Sequence, residues 1–294
     1  MIIVNEVEFA ERCLKEGLCG EKPYKVASIL ARYYYHEKKL KPKQIKTKLS
    51  EFLERYDDTY ARHPEQWIDK MPSIIKYAKE HPLYHITGVS IRKSEMDQIG
   101  SLHNRTLERL AFTLLCLAKF SNLKNPNNNN WVNYDWKTIF NLAHISGGDM
   151  ERAKKLSALA EAGFTERSHL WGNNSSRVVY VTDEGEEVLF VSDFRELGYE
   201  YQHYKQGGFH RCRKCNRLFK PNVHNQLYCS ECQGYTKQTK RLVICEDCGQ
   251  AFFTSSKANN TTRCQECQAV HRAKRKLETQ RIRRQKAQMK SQQF

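Results

Sequence analysis

No apolar run in the 294-residue sequence approaches ~18 residues, and mean hydropathy is -0.75, so a membrane-spanning helix is not expected. The opening, MIIVNEVEFAERC, carries acids where a secretory signal carries bases, so a cytoplasmic protein is expected. Catalytic signatures are missing too. There is no H-E-x-x-H, no Walker loop and no nucleophile elbow, and His224–Asn225 lacks the acidic and second histidine partners of an HNH nuclease. The expectation is a protein that is not an enzyme. Acids are scarce in one region only. From Lys205 to Phe294 there are 20 Lys/Arg against 5 Asp/Glu, a net of +15, whereas residues 1–204 hold 49 − 20 = 29 bases and 33 − 5 = 28 acids, a net of +1. Charge concentrated in one module points to a polyanionic partner, and nucleic acid is the commonest.

Cysteines repeat that partition. Of 11, Cys13, Cys19 and Cys116 stand alone. The other eight form four C-x-x-C pairs: Cys212/Cys215, Cys229/Cys232, Cys245/Cys248 and Cys264/Cys267. An odd total argues against a disulfide scaffold, and four pairs are too many for a thioredoxin-like centre. Zinc fits, because a C-x-x-C turn offers two thiolates and two such turns complete a tetrahedron. With four cysteines per ion no position stays open for substrate, so two structural Zn²⁺ ions are expected. Asn216 and Gly249, just after the first knuckle of each unit, tolerate the left-handed backbone such turns need.

The two units are an internal repeat. Cys212-Arg-Lys-Cys215-Asn-Arg-Leu-Phe219 aligns with Cys245-Glu-Asp-Cys248-Gly-Gln-Ala-Phe252, with Phe219 and Phe252 expected to cap two small cores. Neither unit holds enough apolar residues to fold without metal. One ion per repeat is the preferred pairing, with a cross-braced arrangement left open. Residues 209–268 resemble tandem four-cysteine zinc ribbons, which are common in nucleic-acid-binding proteins. Each filled site would carry about −2, leaving the module at roughly +11.

After Cys267 the chain has neither Pro nor Gly, and it holds nine Lys/Arg with one acid, Glu278. A basic helix is expected, with Val270, Ala273 and Leu277 docking its start onto the second ribbon. The candidate phosphate contacts are Arg272, Lys274, Arg275, Lys276, Arg281, Arg283, Arg284 and Lys286 in this tail. The ribbons add Arg211, Arg213, Lys214, Arg217, Lys220, Lys240 and Arg241.

Upstream, residues 1–93 read as helical, at about Glu6–Glu16, Tyr24–Lys38, Pro42–Arg55 and Glu65–Glu80, with one or two of Tyr33, Tyr34 and Tyr35 facing the core and the rest at its rim, and Trp67, Ile68, Ile74, Ile75 and Tyr77 as packing residues. A small hairpin is expected near Tyr84–Ile91. Residues 94–120 read as one helix capped by Ser94. Helices then run over about Tyr134–His144 and Asp149–Ala162, and Val178–Val181 pairs with Val188–Val191 as a hairpin. Three helices, a Gly turn and a hairpin over about residues 104–192, with Leu156…Leu159…Gly163-Phe164 leading out of the third helix, resemble a winged helix. In that family the third helix enters the major groove, which here would present Arg152, Lys154 and Lys155, with Arg177 on the wing. The acidic run Asp183–Glu187 weighs against groove reading. Asp193–Tyr204 reads as an ordered aromatic linker that docks the zinc module.

The expected fold is therefore mainly α. It comprises a helical N-terminal region (1–93), a winged-helix-like α+β middle with linker helix (94–204), tandem zinc ribbons (205–268) and a basic helical tail (269–294). The arrangement resembles proteins of bacterial phages and mobile elements. The expected function is zinc-dependent binding of DNA or RNA by a regulator. The alternative is an adaptor or inhibitor whose residues 1–204 dock on a host protein or nucleoprotein complex, such as a defence nuclease, while the basic module grips its nucleic acid.

Overall fold

The structure is a computed structural model that describes residues 2–168, 175–234, 241–254 and 262–291; of residues 241 and 283–291 it describes the backbone alone. Helix dominates, the sheets are small, and no described helix is long and apolar enough to cross a membrane. The chain divides into two compact units, Met1–Leu227 and Tyr228–Phe294.

The first unit contains two apolar cores. One is built by α1 (Glu6–Glu16), α2 (Pro23–His36), α3 (Pro42–Tyr56), the short α4 (Asp58–Arg62) and α5 (Lys70–Glu80). Proline opens α2 and α3, where its missing N–H costs nothing. Tyr33 and Tyr34 are buried and Tyr35 is half-buried beside them, which agrees with one or two core tyrosines in this run. The helix expected over 65–80 is interrupted. Trp67 lies in a 3-10 turn, Pro64–Trp67, that seats its ring 6.3 Å from Tyr24 and 5.8 Å from Tyr60, and this turns Ile68 out to solvent. Tyr77 is also exposed rather than packed.

The second core is centred on α7 (Arg105–Lys124), which is buried at every position from Leu110 to Phe120. Before it come β1 (Val89–Arg92) and α6 (Lys93–Gly100). The single helix expected over 94–120 is thus two. Asn104 accepts from the N–H groups of Thr106 and Leu107 at 3.0 and 3.1 Å and starts α7 afresh. Ser94 is not the cap of α6; the Glu95 carboxylate takes the Arg92 N–H at 2.8 Å.

After α7 follow β2 (Trp131–Val132), α8 (Trp136–Leu142), α9 (Asp149–Glu161), β3 (Thr165–Arg167) and β4 (Ser176–Val178). The three strands form an antiparallel sheet in the order β2-β4-β3. The hairpin expected between 178–181 and 188–191 does not form. Instead β5 (Glu187–Val191) pairs antiparallel with β1, Val89 opposite Val191, so the hairpin expected at 84–91 is absent as well. The reason lies between the strands. Lys119 Nζ donates to the Thr182 carbonyl at 2.6 Å and the Thr182 N–H donates to Glu95 at 2.9 Å, which anchors the backbone on α6 and α7 and steers the chain away from β4. Strand β1, assigned on sequence to the N-terminal region, packs in the second core.

Helix α10 (Leu197–Gln206) closes this core against α7. Tyr201 donates to Glu108 at 2.8 Å, and Gly198 lies so close to Ala143 that a Cβ would come within 2.2 Å of its carbonyl oxygen. The remaining elements are β6 (His210–Arg211), β7 (Leu218–Phe219), β8 (Arg241–Ile244), β9 (Ala251–Thr254) and α11 (Gln265–Ser291).

Candidate metal centres and nucleic-acid interface

Both C-x-x-C turns that open a unit are built alike. In the first, β6 and β7 pair with His210 opposite Phe219, and the turn is closed by Asn216 N–H to Cys212 O at 2.8 Å and Cys212 N–H to Arg217 O at 2.9 Å. In the second, β8 and β9 pair with Ile244 opposite Ala251, closed by Gly249 N–H to Cys245 O and Cys245 N–H to Gln250 O, both at 2.9 Å. Asn216 and Gly249 have φ of 56° and 70°, the left-handed backbone expected of them. Phe219 is buried and Phe252 half-buried.

These turns bring the eight cysteines together as two groups in chain order. Cys212, Cys215, Cys229 and Cys232 form one, Cys245, Cys248, Cys264 and Cys267 the other, and within each the sulfurs lie within 4.8 Å of one another. Each group can hold one metal ion, and the pairing is sequential rather than cross-braced. The Cys264 N–H points at Cys245 Sγ at 3.3 Å and pulls that thiol down to about 6, which favours the thiolate a metal requires. Cys267 is driven the other way by the neighbouring thiols, a repulsion that a dication would relieve. The lone cysteines are of a different kind. Burial pushes Cys13 up to about 12 and holds Cys116 well above its ordinary value, so both remain protonated.

Acidic side chains of the preceding segment hold the first ribbon's strands and turn. Arg195 is clamped on Asp193 and donates to Cys215 O at 2.8 Å, Arg211 bonds Glu200 at 2.8 Å, and Arg217 meets Glu196 at 3.5 Å. Glu196 also meets His144, whose ring stacks on Tyr199. Arg211 and Arg217 therefore have carboxylate partners, while Arg213, Lys214 and Lys220 are exposed. Asp193, Arg195, Glu196 and Glu200 were missed as parts of this site. Their one signal in the sequence was the charged start of the aromatic linker.

The second ribbon holds its own ion pairs, Arg263 to Asp247 at 2.8 Å and to Glu246 at 3.8 Å. Helix α11 starts inside the last knuckle, so Cys267 lies on its first turn, closed by Gln268 N–H to Cys264 O at 2.9 Å. Its 27 residues span ~40 Å. Arg272, Lys274, Arg275, Lys276 and Arg281 are all exposed. Arg283, Arg284 and Lys286 continue the helix with side chains outside the description, as is that of Arg241 on β8; Lys240 lies outside the described residues. The expected docking of the helix start is not seen. Val270 and Leu277 are 56% and 66% exposed, because a stripe this narrow on so charged a helix covers too little area to hold it down.

In the middle region two of the three outward bases of α9 are neutralised on their own helix, Arg152 by Asp149 at 2.9 Å and Lys155 by Glu151 at 3.3 Å. Arg177 meets Glu166, its neighbour across the strand pair, at 3.0 Å.

No protein-family model matches the chain, and neither a curated protein nor a solved structure does.

Proposed function

We propose that the chain is a non-enzymatic, zinc-dependent nucleic-acid-binding protein of the kind that regulates phages or mobile elements. A tetrahedron with Zn–S bonds of about 2.3 Å has sulfurs ~3.8 Å apart, and Cys248 and Cys264 stand 3.8 Å apart. Four soft thiolates suit Zn²⁺ and leave it no open position, so the ions are structural. Their work is to fold two ribbons that have little core of their own.

The observation that carries the reading is α11. A metal ligand sits on its first turn, and its described bases are exposed on a rod about as long as one turn of duplex. Phosphates lying along it would displace counterions, so affinity must fall steeply with salt. Fluorescence anisotropy of the zinc-loaded protein on duplex DNA, single-stranded DNA and structured RNA between 50 and 300 mM KCl tests this. A steep log–log slope is expected on at least one substrate, and a flat response on all three ends the proposal.

The middle region supports a winged-helix reading by its order of helix, strand, two helices and two strands with the sheet β2-β4-β3. The paired strands of the wing would then be β3 and β4, not the two strands flanking the acidic stretch at 183–187. The ion pairs on α9 favour a face that meets protein rather than base edges. This is the observation behind a second reading, an adaptor or inhibitor in which residues 1–204 dock on a protein or nucleoprotein complex. Capture experiments with the full chain carrying Lys154→Glu separate the two readings: a partner lost while nucleic-acid affinity persists favours the adaptor.

A further inference from the structure

One feature that nucleic-acid binding leaves unused is a cavity among α1, α2, α5 and the end of α7. Its volume is about 680 Å³, within the range of small-molecule sites. Ile29 and Ile74 with Tyr77 and Tyr134 give it apolar and aromatic walls.

Its charges are arranged unevenly. Arg32 and Glu6 are both buried and bonded to each other twice at 2.8 Å, and Glu6 takes a third bond from the Tyr84 N–H at 2.9 Å. The acid is thereby held on both oxygens. The guanidinium also donates to the Pro82 carbonyl at 3.4 Å, and its Nε is buried without a hydrogen-bond partner among the described residues. Lys124 is the second cation. Its ammonium lies over the rings of Phe120 and Tyr84, at 4.3 and 5.1 Å, and has no ion pair among the described residues. Burial disfavours its charge; Glu6 partly supports it, and the nearby Arg32 and Lys25 oppose it. A lysine ammonium without a counter-ion among the described residues, with the Arg32 guanidinium in the same lining, makes an incomplete anion site with an apolar chamber beside it.

We propose that this cavity binds a small organic anion, one acidic group on an aromatic or branched aliphatic body, with the acid at Lys124 and Arg32 and the body against Ile29, Ile74, Tyr77 and Tyr134. Carboxylate, sulfonate and monophosphate share the needed chemistry. A neutral molecule of the same shape gains the wall contacts and leaves the cations unmatched, so it binds more weakly. The site would make the N-terminal helices a sensor of a metabolite class, and it is independent of whether the chain holds nucleic acid.

The test uses full-length zinc-loaded protein without polynucleotide and two fluorescent probes of like shape, the anionic 8-anilinonaphthalene-1-sulfonate and the neutral N-phenyl-1-naphthylamine. Saturable binding of the sulfonate at one equivalent is expected. Lys124→Met should weaken it by about tenfold and leave the neutral probe nearly unchanged. Ser28→Trp, which fills the cavity, should weaken both. Thermal melts check that each variant folds, and if Ser28→Trp does not, Lys124→Met decides alone. Absence of saturable binding, an unchanged sulfonate affinity in either folded variant, or equal losses for the two probes in Lys124→Met would overturn the proposal.

Discussion

Arg195 ties the turn of the first cysteine knuckle to the end of the second core, donating to the Cys215 carbonyl at 2.8 Å while Asp193 grips its guanidinium at 2.6 to 2.9 Å. A carbonyl fixed this way fixes the sulfur that follows from the same residue. Arg195→Ala should therefore lower metal affinity at the first cluster by about 10–100-fold. Chelator competition reads the two clusters separately, and the second one serves as the internal reference. Equal weakening of both would remove Arg195 from this role.

Metal removal should act locally. Elemental analysis of pure protein is expected to find two equivalents of zinc. A strong chelator should then expose residues 209–268 to protease while most helical circular dichroism survives, because neither apolar core of the first unit includes any of the eight clustered cysteines. Loss of all helical signal on chelation would contradict this.

On α11, Arg275 and Arg281 are exposed and free of carboxylates within ion-pair distance among the described residues. Replacing both by Gln should weaken binding to every sequence alike and reduce the slope of log K against log salt by about 2. Arg211→Gln should change the slope much less, since its charge is already matched by Glu200. The reverse ranking would move the interface from the helix to the first ribbon.

How far residues alone reveal such a molecule depends on how local the cause is. The metal groups were legible because two thiolates in one turn, followed by Asn216 or Gly249, are a short-range geometry. The start and end of α1 were legible for the same reason, with Asn5 as cap and Gly17 beyond the end. The pairing of β5 was not legible. It is decided by Lys119 and Glu95 on helices far away in the sequence, and a run of valines carries no label for its partner strand. The break at residues 101–104 was local, yet it was hidden because the apolar periodicity of 94–120 continues across it. The neutralisation of Arg211 and Arg217 needed the fold, since their acids belong to the preceding segment.

The Lys119–Glu95 pair is buried at 3.0 Å, and the lysine also reaches the Thr182 carbonyl. Lys119→Met leaves a buried carboxylate without its cation and should cost about 3–5 kcal/mol, read from urea melts. Adding Glu95→Gln should recover part of that loss. A single replacement without effect would mean that the hydrogen bonds from Arg92 and Thr182 satisfy Glu95 alone.

Burial raises the Glu200 carboxyl above its ordinary value of 4.5, with Arg211 pulling it back. The folded protein thus holds this proton more tightly than the unfolded chain. Its contribution to stability is complete below pH 4.5 and is lost as pH rises through the folded value. Glu200→Gln removes the dependence, so the variant should gain on the parent as pH rises over that window and keep a constant difference above it. Melts of the two proteins that run parallel across acidic pH would show that the carboxyl is not perturbed.

The pairing of Val89 with Val191 has a consequence for synthesis. Helix α7, apolar over most of its middle turns, leaves the ribosome 191 − 124 = 67 residues before the end of β5, and α10, which closes the core against it, follows later still. At ~5–20 residues per second the nascent chain carries that helix without its full cover for several seconds, an interval in which its apolar surface is open to aggregation.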